Sequence, residues 1–72
     1  MAAPVQQPQQ PSRLIRRREV ENRTGLARSS IYDLIRAGRF PAPVRLTEST
    51  VAWVEQEVDD FIAERIAARS AA

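Results

Sequence analysis

Three runs of apolar positions organise this chain. Ala27, Ile31, Leu34 and Ile35 fall at i, i+4, i+7 and i+8, which places them on one stripe of an α-helix. The other side of that segment carries Arg28, Ser29, Tyr32, Asp33 and Arg36. A second helical stripe is made by Val54, Val58, Phe61, Ile62 and Ile66, with Glu55, Glu57, Asp59 and Asp60 crowded toward its start and Arg65 and Arg69 late. That polarity complements the helix macrodipole and explains the acids without a metal. Between the two stripes, Val44-Arg45-Leu46 and Val51-Ala52-Trp53 are short β-prone runs separated by Thr47-Glu48-Ser49-Thr50, the pattern of a hairpin with a four-residue tip.

The remaining segments connect these elements. Residues 16–24 read as a first helix with Val20 pointing inward, and Leu26 closes the corner that follows. Gly25 supplies the tight turn that a helix-turn-helix requires. The second helix runs over 28–37 and stops at Gly38, a C′ residue. Phe40-Pro41-Ala42-Pro43 is a rigid turn, because each proline holds its predecessor extended. Arg13-Leu14-Ile15 reads either as a short strand or as an extended lead-in. Residues 1–12, rich in Gln, Pro and Ala, lack apolar periodicity and are expected to be a disordered tail. Residues 13–69 form the one domain, and 70–72 should fray. Trp53, Phe40 and Phe61 are the expected core anchors, since so small a domain needs large side chains to bury. The predicted fold class is α+β, mainly helical: a winged helix-turn-helix of three short helices plus a two-stranded β-hairpin wing.

Composition removes most chemistry. The chain has 72 residues and neither cysteine nor histidine, so disulfides, thiolate zinc sites, imidazole ligands and the usual general base are all absent. No catalytic residue, metal site, cofactor or small-molecule substrate is expected. The N-terminus has no apolar run, so no signal peptide or membrane span is expected and the default location is cytoplasmic. Net charge of +2 conceals an asymmetry. From Pro11 to Arg45 there are nine arginines against three acids; from Leu46 onward, two arginines against six acids. A basic half that also holds an amphipathic helix with guanidinium, hydroxyl and aromatic groups on its outer side suits a polyanionic partner. An ordinary surface helix with a solvated face would show the same stripe, and short chains often segregate charge by accident.

Specific blocks narrow the choice. Arg18-Glu19-Val20, Thr24-Gly25-Leu26, Arg28-Ser29-Ser30-Ile31-Tyr32, Gly38-Arg39-Phe40-Pro41, Pro43-Val44, and Val51-Ala52-Trp53 followed by Glu57-Val58 resemble the AlpA family. These are small phage- and prophage-associated DNA-binding regulators, related to excisionases and to the MerR-like winged-helix fold. The resemblance covers residues 13–69. It implies that residues 28–37 enter the major groove, with the 44–53 hairpin as a wing along an adjacent groove. Carried over by position, it makes Arg28, Ser29, Ser30, Tyr32 and Arg36 the main DNA contacts. Arg17 and Arg18 are then phosphate contacts at the start of the first helix, and Arg45 is the cation of the wing. Three positions depart from the family pattern. Ala27 stands where Ser usually caps the recognition helix. Asp33 stands where a basic residue is common; an acid there would either repel phosphate or accept from a cytosine amino group. The wing tip reads Thr47-Glu48-Ser49 rather than Gly-rich.

The sequence therefore predicts a sequence-specific double-stranded DNA-binding protein of a phage or mobile element, not an enzyme. It would act as a transcriptional regulator or as an excisionase-type recombination directionality factor. Its partners would be double-stranded DNA and either itself, as a dimer or a cooperative array on DNA, or an integrase. The competing expectation is an antirepressor-like protein-interaction module acting through the acidic face of the last helix. The two differ in whether affinity resides on the basic 13–45 half or on the acidic 55–64 face.

Overall fold

The computed structural model describes residues 13–71, with side chains through Arg69; the expected tail over 1–12 and the final residue lie outside the described residues. The elements are β1 (Leu14–Ile15), α1 (Arg17–Thr24), α2 (Arg28–Arg36), β2 (Val44–Arg45), β3 (Val51–Val54) and α3 (Glu55–Ala71). They form the α+β helix-turn-helix with a β-hairpin that the residue pattern predicts. The segment left open between strand and lead-in is a strand. β1 pairs antiparallel with β3 on the side opposite β2, so the hairpin becomes a three-stranded sheet ordered β1-β3-β2. Ile15 faces Trp53 and Leu14 faces Val54 across one seam; Val44 faces Ala52 and Arg45 faces Val51 across the other.

Each turn is fixed by particular groups. Thr24 ends α1 by donating its hydroxyl to the Val20 carbonyl at 2.8 Å, and the same oxygen accepts the Leu26 N–H at 3.2 Å. Gly25 sits at φ 74° and donates its N–H to the Glu21 carbonyl at 2.8 Å. Only the left-handed region lets the chain turn this sharply, and glycine enters it without a Cβ penalty. α2 closes the same way: Gly38 at φ 73° donates to the Ile35 carbonyl and Arg39 to the Leu34 carbonyl, the paired bonds of a Schellman end.

The core is small and mostly aliphatic. Ile15, Val20, Ile31, Phe40, Trp53 and Val58 form one buried cluster, with Leu26, Tyr32, Leu34, Ile35, Phe61 and Ile62 packed around it. Phe40 and Phe61 meet edge to face, centroids 4.7 Å apart. Trp53 is fully buried and donates its indole N–H to the Pro41 carbonyl at 3.0 Å. The rigid proline turn thus supplies the acceptor that a buried indole needs.

Several boundaries and faces differ from the sequence pattern, each for a local reason. Arg16 is extended and precedes α1 rather than starting it, because its neighbours Leu14–Ile15 pair in the sheet. Ala37 is the C-cap of α2, not its last residue. The hairpin tip is three residues, since Leu46 still donates to Thr50 and Thr47 Oγ1 then accepts from the Ser49 N–H, closing the loop without glycine. Val54 belongs to β3, not to the last helix, and Ile66 is 52% exposed. The sheet claims the first of these, and α3 outruns the core before reaching the second.

Neither α1 nor α2 begins with a side-chain cap; Arg16 and Ala27 occupy those positions in extended conformation. Ala27→Ser supplies an acceptor for the Ser29 or Ser30 N–H and should stabilise the domain by about 1 kcal/mol. Thermal unfolding should then show Tm higher by about 4–8 °C. No rise would mean that the helix start is not where the backbone places it. Gly38→Ala should act oppositely. An added Cβ meets nothing within 4 Å, so left-handed strain alone remains, a loss of about 1 kcal/mol in denaturant titration.

Candidate nucleic-acid interface

α2 has one face that the core takes and one that it leaves. Ile31 is buried, with Leu34 and Ile35 packed beside it, while Ser29, Asp33 and Arg36 are exposed on the opposite side. Arg28 and Tyr32 lie between these faces. The sequence pattern placed Tyr32 on the outer face, but it is half-buried, its ring edge-on to Trp53 with centroids 6.2 Å apart. Its position between the stripe and the outer side lets the aromatic ring reach the core. The Arg28 guanidinium lies 6.0 Å from the Tyr32 centroid, the outer limit of a cation–π contact. Arg28 is the first residue of α2, so a cation is held where the orphan N–H groups of an uncapped helix start also point outward. Ser30 is half-buried beside the turn.

The acid in this face is answered from within. Asp33 pairs with Arg36 one turn later, both side chains well exposed. Exposed pairs of this kind are weak and exchange readily for a better partner. Arg36 therefore reaches outward with a carboxylate attached.

Elsewhere the arginines divide by partner. Arg17 Nε donates to Glu21 at 2.9 Å along α1. Arg16, Arg18 and Arg39 are exposed and have no salt bridge among the described residues; Arg39 is absent from the sequence-derived set. Arg39 follows directly on the C′ glycine of α2, a position that carries the chain out of the helix, and this is the signal that marks it. Arg45, on the edge strand β2, donates to the Glu48 carbonyl at 3.1 Å and so braces its own loop tip.

Arg23 has a different role. Its guanidinium binds Glu19 at 2.9 Å, Glu55 at 2.7 Å and Asp59 at 3.1 Å. Donating to Glu19 and then to Glu55 holds it above the usual arginine range. Glu55 also meets Arg13 at 3.5 Å, and its backbone N–H donates to the Arg13 carbonyl at 2.8 Å. Two acids of α3 are thus consumed in fixing α3 to α1 and to the lead-in of β1. Glu57, Asp60 and Glu64 remain exposed.

No helix among the described residues is long and apolar enough to cross a membrane. Comparison with known proteins extends the geometry. Protein ORF88 of Enterobacteria phage P4, described as uncharacterized, is 49% identical over 57 residues, which is 79% of this chain. This chain spans about 65% of that relative's length. The protein described as DNA-binding transcriptional activator AlpA of Escherichia coli (strain K12) is 32% identical over 59 residues, 74% of this chain and 84% of that one. The family described as Prophage CP4-57 regulatory protein (AlpA) matches residues 13–66, from the lead-in of β1 through most of α3, and the chain belongs to that family.

Proposed function

We propose that this chain is a sequence-specific double-stranded DNA-binding regulator of a phage or mobile element that inserts α2 into the major groove. The observation that carries the reading is the makeup of α2: Ser29, Asp33 and Arg36 exposed together on a helix seated across a glycine corner from α1. Hydroxyl, carboxylate and guanidinium are the groups that read base edges. Its uncapped first turn and Arg28 suit a phosphate, and Arg16, Arg18 and Arg45 supply further cations. The E. coli relative's description as a DNA-binding transcriptional activator supports the same class. A domain this small covers a short site, so useful affinity calls for two copies side by side on repeated half-sites. The same docking serves a regulator at a promoter or a recombination directionality factor that bends DNA beside an integrase. Footprinting on DNA flanking its own gene decides between them by the position of the protected site. The antirepressor-like alternative is weakened because Arg23 already occupies Glu55 and Asp59.

The electrostatic part is tested by salt. With about six arginine–phosphate contacts, log K against log salt should fall with a slope of about −5. A flat dependence would remove the basic half as the docking surface.

Base reading is tested at α2. Tyr32→Phe keeps the ring on Trp53 and removes only the hydroxyl, so it should weaken specific binding by about 1 kcal/mol without unfolding the domain. Arg36→Ala should cost about 1–3 kcal/mol of specific binding while sparing most non-specific binding. Asp33→Ala frees Arg36 for phosphate, steepening the salt slope by about one contact and loosening sequence preference. If Arg36→Ala binds its specific site as tightly as the parent, the affinity does not reside on α2.

A further inference from the structure

α3 is longer than the core beneath it. Val58 is fully buried, Phe61 and Ile62 are half-buried, and every residue over 63–69 is exposed. The stripe that starts with Val58 and Ile62 continues at helical spacing through Arg65, Ile66 and Arg69. The overhanging part of α3 therefore carries an apolar residue between two cations on the side that faces the helix-turn-helix. A groove of about 790 Å³ runs between them, with Leu26, Leu34 and Ile66 in its floor and Arg39, Arg65 and Arg69 along its edge.

Glu64 also lines this groove, but the cations on its edge form no salt bridge among the described residues. Arg13, Arg17, Arg23 and Arg36 each have a carboxylate partner, whereas Arg39, Arg65 and Arg69 have none among the described residues. Residues 1–12 contain no Asp or Glu, so that segment cannot neutralise the groove. The complementary charge lies on the adjoining side of the same helix. Glu57, Asp60 and Glu64 follow at i, i+3 and i+7, all exposed, and line a shallower depression beside Pro41. They too lack a salt bridge among the described residues.

We propose that the groove is the docking site for a second copy of this chain, which lays its Glu57–Asp60–Glu64 stripe along Arg39, Arg65 and Arg69. Apolar floor and charged edge divide the work: Ile66 and Leu34 are removed from water, and the charges set register and approach. Stripe and groove adjoin and share Arg39 and Glu64, so each copy offers both charges on one face and the same contact can form twice between two copies. This identifies a surface for the self-association in the proposed function, and it holds whether or not α2 reads DNA.

The test is sedimentation velocity on the full chain without DNA, from micromolar to millimolar concentration, at low and high salt. The average mass should rise with concentration at low salt and return to the monomer as added salt screens the charges. The double variants Arg65→Glu/Arg69→Glu and Glu57→Arg/Asp60→Arg change exposed positions only. Far-UV circular dichroism and a cooperative melt confirm that each is folded. Each alone should self-associate at least about tenfold more weakly. Mixed together they should associate again, since each then carries the charge that the other lacks. Arg36→Ala, which lies on α2, should associate as the parent does; its loss of DNA binding with intact association separates the two readings. A parent that stays monomeric throughout, or a mixture that fails to recover, overturns the proposal.

Discussion

The rest of the domain depends on the burial of one indole. Trp53 lies on the central strand, opposite Ile15, with its N–H on the Pro41 carbonyl and its ring against Tyr32. Four parts of the chain meet there: the first strand, α2, the proline turn and the strand itself. Truncating a buried tryptophan to alanine costs about 3–5 kcal/mol, and a core this small supplies about 3–5 kcal/mol in all. The domain therefore has no second core to fall back on. The proline turn matters for the same reason: without a fixed acceptor the indole N–H would be buried unpaired.

Electrostatics then fixes what burial leaves loose. α3 touches the core through few apolar residues, and Arg23 adds a second attachment by joining Glu55 and Asp59 of α3 to Glu19 of α1. The acidic composition of α3 thus has two meanings. The acids that face α1 are used within the fold, and those turned away from it stay in water. The arginines divide likewise: Arg13, Arg17, Arg23 and Arg36 have carboxylate partners, and the others have none among the described residues. Net charge of the whole chain hides both divisions.

Much of this was legible in the sequence, and the reasons are local. The Thr24-Gly25-Leu26 corner, Gly38 at the end of α2 and the inward positions of Val20 and Ile31 follow from turn chemistry and helical period. Both are properties of a few adjacent residues. Tyr32 was not legible as a half-buried ring, because a residue at the border of a helical stripe takes its environment from what lies opposite, here Trp53, twenty-one positions away. Val54 read as helical because its spacing from Val58 fits a turn, and only pairing with Leu14 assigns it to the sheet. The Arg23 cluster was equally hidden, since nothing near Arg23 in the chain announces that Glu55 and Asp59 of α3 come within its reach. For the candidate site, residue types on α2 were readable. Their ties along the helix, Arg36 to Asp33 and Arg28 to the Tyr32 ring, follow from i,i+3 and i,i+4 spacing, whereas the contact of that ring with Trp53 needed the fold.

The edge-on contact between Tyr32 and Trp53 has an optical consequence. The chain holds one tryptophan and one tyrosine, and at 6.2 Å between centroids they sit on the two sides of a boundary between core and outer face. A macromolecule that shifts Tyr32 changes the field at the only indole. Under the proposed docking, occupancy of α2 would register in the emission of the unlabelled protein through a fully buried residue.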